Sequence, residues 1–192
     1  MTSREQDEYS ALRATIRERG TARVCLFAGG IAAWAAATIA TTALAATPLA
    51  TLLPLIVLAA VFEAVYALHI GVERIGRYIQ VFYEADPIDS PGPPALPALP
   101  ALAGPPKWEH AAMAFGRPKG SASADALFTV IFVLVALFNV MPALILDPQR
   151  VELVLVGGAH ALFVLRLIVA RHAASTQRAI DLERFQTLKT EI

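Results

Sequence analysis

Between Arg23 and Glu63 the chain runs thirty-nine residues, Val24 to Phe62, without a charged side chain. About 20 apolar residues are enough to cross a bilayer core. The run is therefore long enough for two crossings, and the Thr47-Pro48 break near its middle predicts a helical hairpin that turns there. A further uncharged run of twenty-one residues lies between Asp125 and Asp147. A fourth apolar segment, about 151–171, follows Asp147-Pro148, which reads as a helix start with aspartate as cap and proline in the first position. The expected fold is an all-α integral membrane protein of four transmembrane helices arranged as two hairpins.

The flanking segments extend this picture. Ser3, with Gln6 three residues on, fits a capping box. Residues 4–19 then set Tyr9, Leu12 and Ile16 on one side, and Gly20 reads as a stop. The pattern predicts a short amphipathic helix, lying on the membrane surface or packed against the rest of the protein. In the first crossing, about 24–46, the small residues Gly29, Ala33, Ala37, Thr41 and Ala45 recur every four positions. Such a stripe lets helix backbones approach closely in lipid. The second crossing, about 49–70, has Pro54 near its start and then no proline through Glu84. A continuous helix over 49–84 would be about 54 Å long, well beyond the roughly 30 Å hydrocarbon core, so it should project from the membrane or bend along it. The last crossing likewise continues into an amphipathic tail through Ile180, Phe185 and Leu188.

Residues 86–106 hold eight of the thirteen prolines and read as an extended, semi-rigid spacer. Lys107 to Phe115 predicts a short interfacial helix with Trp108 at headgroup depth. Four units result: an amphipathic helix over 1–22, a first hairpin with its helical extension over 23–85, a proline-rich linker over 86–120, and a second hairpin with a C-terminal helix over 121–192.

Charge gives the arrangement a direction. Only 17% of residues are charged, against roughly 25% in soluble domains. Lysine and arginine crowd into the N-terminal segment, the 71–120 connection and the C-terminal tail, and the hairpin tips contribute only Arg150. The positive-inside rule then puts both termini and the long connection in the cytoplasm, in the inner membrane if the cell is bacterial. No basic cluster stands free of nearby acids or membrane, which argues against a nucleic-acid partner. Ala43-Leu44-Ala45 has the spacing of a signal-peptidase site, but the preceding segment contains Glu5, Asp7, Glu8 and Glu18, so a retained helix is expected. Cys25 is the sole cysteine. It cannot form an intrachain disulfide or a thiolate zinc site, and it reads as a small hydrophobe or a lipidation site.

Ionisable groups inside the span are the first candidates for function. Sliding the chain by 103 residues aligns Glu63 with Arg166, His69 with His172 and Phe82 with Phe185. This predicts a Glu63–Arg166 ion pair at matched depth, buried inside the bundle or between copies and fixing helix register, with snorkelling of Arg166 and an ion pathway as alternatives. His69 and His172 on neighbouring helices have the residue type for b-type haem ligation. His160 should lie near mid-membrane with Asn139 as a polar neighbour, for packing or a polar pathway. Glu73, Arg74, Arg77, Tyr78, Phe82 and Tyr83, together with Trp108, suggest a surface for partners or lipid. No phosphate loop, HExxH motif, GxSxG elbow or acidic metal cluster occurs. No catalytic residue, metal site or resident cofactor is therefore expected. The pattern fits a non-catalytic scaffold, assembly factor or accessory subunit that associates with lipids and with other membrane subunits or its own copies. The rivals are an oligomeric channel or transporter using Glu63, His160 and Arg166, and a haem carrier or membrane enzyme.

Overall fold

The computed structural model describes residues 2–44, 47–83 and 125–191, the side chains of 125–128 excepted. Among these residues there are four helices and no strand: α1 (Ser3–Leu44), α2 (Leu52–Phe82), α3 (Asp125–Ile145) and α4 (Arg150–Glu191). A 3-10 turn, Pro48–Thr51, leads into α2. Three segments are long and apolar enough to cross a membrane: α1, the turn with α2 (Pro48–Phe82), and α4. The apolar part of α3 found among the described residues, Thr129–Ile145, is shorter. The proline-rich linker and the expected helix around Trp108 lie outside the described residues.

Helices α1 and α2 run antiparallel along most of their length, with contacts from Gly30–Val61 through Arg23–His69 to Tyr9–Tyr83. Helix α4 runs parallel to α2, pairing Glu63 with Arg166 and Phe82 with Phe185. Helix α3 lies parallel to α1, with Phe27 against Phe132 and Trp34 against Asn139. At the centre Phe62 meets Phe132 and Phe163 edge to face, with ring centroids 5.3 and 6.1 Å apart, a geometry the ring quadrupoles favour. Leu55, Leu58, Ala136, Leu167 and Ala170 complete this core.

Close approach of α1 and α2 depends on Gly30, the buried residue of α1. A β-carbon there would sit 2.3 Å from Val61 Cγ1. The small-residue stripe anticipated at Gly29, Ala33, Ala37, Thr41 and Ala45 is packed only in part: Gly29 and Ala33 are exposed, with nothing within 4 Å of a β-carbon at Gly29, Ala37 and Thr41 are half-buried, and Ala45 lies outside the described residues. At the level of Gly29 the packing face is one residue away, on Phe27, Gly30, Ile31 and Trp34. A helix advances 100° per residue, so a one-position shift turns the face by more than a quarter of the circumference.

Three local expectations are corrected. Gly20 does not stop a first helix; α1 continues through it as one rod of 42 residues. Glycine in a helix interior costs only about 1 kcal/mol, and the contacts with α2 on both sides of Gly20 outweigh that. The capping box is formed one position earlier, by Thr2 and Glu5: Thr2 N donates to Glu5 Oε2 at 2.7 Å and Glu5 N donates to Thr2 Oγ1 at 3.3 Å. Finally, α4 does not begin at Asp147-Pro148. Asp147 takes a left-handed conformation, φ 52°, which aspartate tolerates better than most residues, and so turns the chain between α3 and α4. The helix begins at Arg150, where Gln149 N donates to Glu152 Oε2 at 3.0 Å.

Candidate functional site

Polar side chains gather at three heights along the bundle. Nearest the hairpin tips, Asn139 is almost fully buried, at 1% exposure. Its amide donates to Thr51 O at 2.9 Å and to His160 Nε2 at 3.0 Å, and its Oδ1 accepts from Trp34 Nε1 at 3.2 Å. His160 Nδ1 donates to Val156 O at 2.7 Å. These roles fix both assignments. Reversing the amide would set two donors against each other at Trp34, and protonating His160 Nε2 would remove the acceptor that Asn139 uses. The imidazole is thus held neutral in its Nδ1–H form. One side chain joins α1, the turn before α2, α3 and α4.

The second height is the Glu63–Arg166 pair. Arg166 Nη2 lies 2.8 Å from Glu63 Oε2, and Nε lies 2.8 Å from Oε1, a two-pronged arrangement. The guanidinium carbon also stands 5.4 Å from the Tyr66 ring centroid and 5.9 Å from that of Phe62, within cation–π range. The pair forms, but not buried inside this chain's bundle as expected: it sits on the flank, where the two side chains are 41% and 49% exposed. His160 does not join it. On α4 Phe163 lies between His160 and Arg166, and Phe163 is packed into the aromatic core.

The third height is a charged seam where α2 and α4 extend beyond their apolar stretches. Arg77, 3% exposed, donates to Asp181 Oδ2 at 2.9 Å and to Glu73 Oε2 at 3.2 Å. Arg74 reaches the same Asp181 oxygen at 3.3 Å, and Gln177 donates to Oδ1 at 2.7 Å. Arg178 makes a two-pronged pair with Glu73. Burial opposes ionisation of Asp181, but hydrogen bonds from Arg77, Gln177 and Arg74 outweigh it and hold the carboxyl below its ordinary range. Next to the seam, Tyr78 and Phe82 pack on Phe185, and Tyr83 packs on Tyr9. Tyr78 Oη donates to Glu8 Oε1 at 3.1 Å. Burial, reinforced by Glu8, pushes the Tyr83 phenol up to about 12.

The cluster from Glu73 to Tyr83 is therefore an internal seam more than an open surface. Arg77 is buried and Glu73 is mostly covered, while Arg74 remains exposed. Sequence reading located α2's half of this seam but missed Asp181, Arg178 and Gln177 on α4, along with Trp34, Thr51 and Glu8. Their signal was present: Arg77–Asp181 and Glu73–Arg178 recur at offsets of 104 and 105, close to the offset that links Glu63 to Arg166. The structure does not bring His69 and His172 together. His69 Nδ1 faces Arg23 Nη1 on α1 at 2.8 Å and its Nε2 lies 3.6 Å from Glu73, whereas His172 is exposed. Trp108 lies outside the described residues. Comparison with family models, curated proteins and solved structures returns no match to this chain.

Proposed function

We propose that this chain is a four-crossing membrane protein with both termini in the cytoplasm, acting as a non-catalytic scaffold, assembly factor or accessory subunit. In this reading α3 is the additional crossing, which makes two hairpins, and the charged ends of α1, α2 and α4 form a cytoplasmic stalk. The excess of lysine and arginine at that end supports the orientation. The observation that carries the functional reading is how the polar residues are used. Asn139 and His160 join helices in the core, Glu63 is paired with Arg166, and the seam joins α2 to α4. Each assignment serves assembly of a rigid body. The exposed outer faces of α1 and α4 remain for other membrane subunits or further copies.

Purification from membranes in mild detergent tests this proposal. A partner subunit recovered in fixed stoichiometry supports it. A chain recovered alone, which produces a conductance in liposomes sensitive to Glu63→Gln, overturns it in favour of a channel. Cysteine labelling from each side of the membrane tests the orientation separately.

A further inference from the structure

A groove of about 430 Å³ opens on the flank of the bundle between α2 and α4, lined by Glu63, Tyr66, Ile70, Arg74, Arg166 and Gln177 among others. It runs from the intramembrane ion pair to the start of the charged seam. Glu63 to Arg74 on α2, and Arg166 to Gln177 on α4, each cover eleven residues, or about 16 Å of helix. Both ends are polar, and its middle is bordered by Ala67, Ile70 and Ala173.

Two features define what would fill it. The first is charge. Along this α2–α4 face Arg74, Arg77, Arg166 and Arg178 meet the carboxylates of Glu63, Glu73 and Asp181. Arg19 of α1 lies against Gly71 of the lining as a further cation, so cations outnumber anions around the groove. Arg77 and Arg178 are drawn into the seam. Arg74 is 54% exposed, contacts Asp181 through Nε and lines the groove. The second is position. Arg74 lies about 16 Å along α2 from Glu63, at the level where the apolar stretch gives way to charge. The Glu63–Arg166 pair lies deeper, where an ionised group exposed to hydrocarbon is costly.

We infer that the groove between α2 and α4 holds one anionic phospholipid of the cytoplasmic leaflet, with its phosphate at Arg74 and Gln177 and an acyl chain lying along Ile70 and Ala173 toward Tyr66. The negative phosphate complements the exposed guanidinium of Arg74 at the mouth, and an acyl chain suits the apolar middle of the groove at Ala67, Ile70 and Ala173. The inference rests on the proposed membrane orientation.

The test is native mass spectrometry of the purified full chain titrated with dioleoyl phosphatidylglycerol and, separately, dioleoyl phosphatidylcholine. The expected result is one phosphatidylglycerol retained per chain in preference to phosphatidylcholine. Arg74→Gln should weaken that binding about fivefold, as expected for one basic residue near a lipid surface. Arg77 would still hold Asp181 in that variant. Ala173→Trp should abolish the preference by filling the groove without altering charge, and Arg150→Gln at the hairpin end should leave it unchanged. Equal retention of the two lipids, or a preference unaffected by Arg74→Gln, overturns the proposal. So does equal binding of glycerol 3-phosphate, which has the phosphate without the chains. Because side-specific cysteine labelling reads the orientation independently, a correctly oriented chain with no lipid preference refutes the groove alone.

Discussion

Replacing Asn139 by leucine removes one side chain that serves four segments, while roughly conserving volume. Three hydrogen bonds are lost, to Trp34, Thr51 and His160. Interhelical hydrogen bonds in membrane proteins average about 0.6 kcal/mol and reach about 1.7, so the loss should be about 2 kcal/mol and no more than about 5. Trp34→Phe and His160→Leu each break one bond to Asn139 and should cost about 0.6–1.7 kcal/mol for it. The assay is reversible unfolding of the purified chain in mixed micelles by increasing dodecyl sulfate, followed by helical circular dichroism. In a double-mutant cycle, Trp34→Phe and Asn139→Leu should couple, because the second change has nothing left to remove at that contact. A shift below about 0.5 kcal/mol for Asn139→Leu would show that the bonds do not hold the bundle together, given the average cited above. Strict additivity in the cycle would show that Trp34 and Asn139 are not partners.

Other outcomes can be stated more briefly. Gly30→Ala should cost about 1–3 kcal/mol through overpacking against Val61, Gly29→Ala should cost nothing measurable, and Val61→Ala should partly rescue the first; equal effects at the two glycines would contradict the observed packing face. Asp181 is held below its ordinary value of 3.8, so its contribution to stability is fully present above that pH and is lost as pH falls through its depressed value. Asp181→Asn should accordingly flatten the acid limb of a stability–pH curve, and an unchanged limb would count against the seam. Tyr83 behaves with the opposite sign: its folded value is raised from 10.0 to about 12, so its contribution falls as pH rises from 10 toward 12. Ultraviolet titration should show late phenolate formation that moves earlier in Glu8→Gln, and a normal titration would refute the Tyr83–Glu8 environment.

The helical architecture was legible because uncharged runs of this length have few other physical solutions. The depth match of Glu63 and Arg166 was legible because parallel helices preserve a constant offset. What escaped the sequence was rotation and continuity. One residue separates Gly29 of the visible small stripe from Gly30, which packs on Val61, and composition cannot distinguish the two. Gly20 is a frequent stop signal, but tertiary contacts of α1 with α2 override so weak a local preference. The Glu73–Tyr83 cluster looked like a surface because its α4 partners lie more than a hundred residues away. Trp34 and Thr51 were invisible as network members, since an indole and a backbone carbonyl give no pattern of their own.

The unbroken course of α1 also sets a fixed height. At 42 residues the rod is about 63 Å long, and in the proposed membrane arrangement a hydrocarbon layer of about 30 Å would leave about 33 Å standing clear of it. With Tyr9 against Tyr83 and Glu8 bonded to Tyr78 near its far end, that length is braced. A protein seated on this end would be kept at a set distance from the lipid surface, as by a molecular ruler, and adding or deleting one seven-residue double turn would reset that distance by about 10 Å.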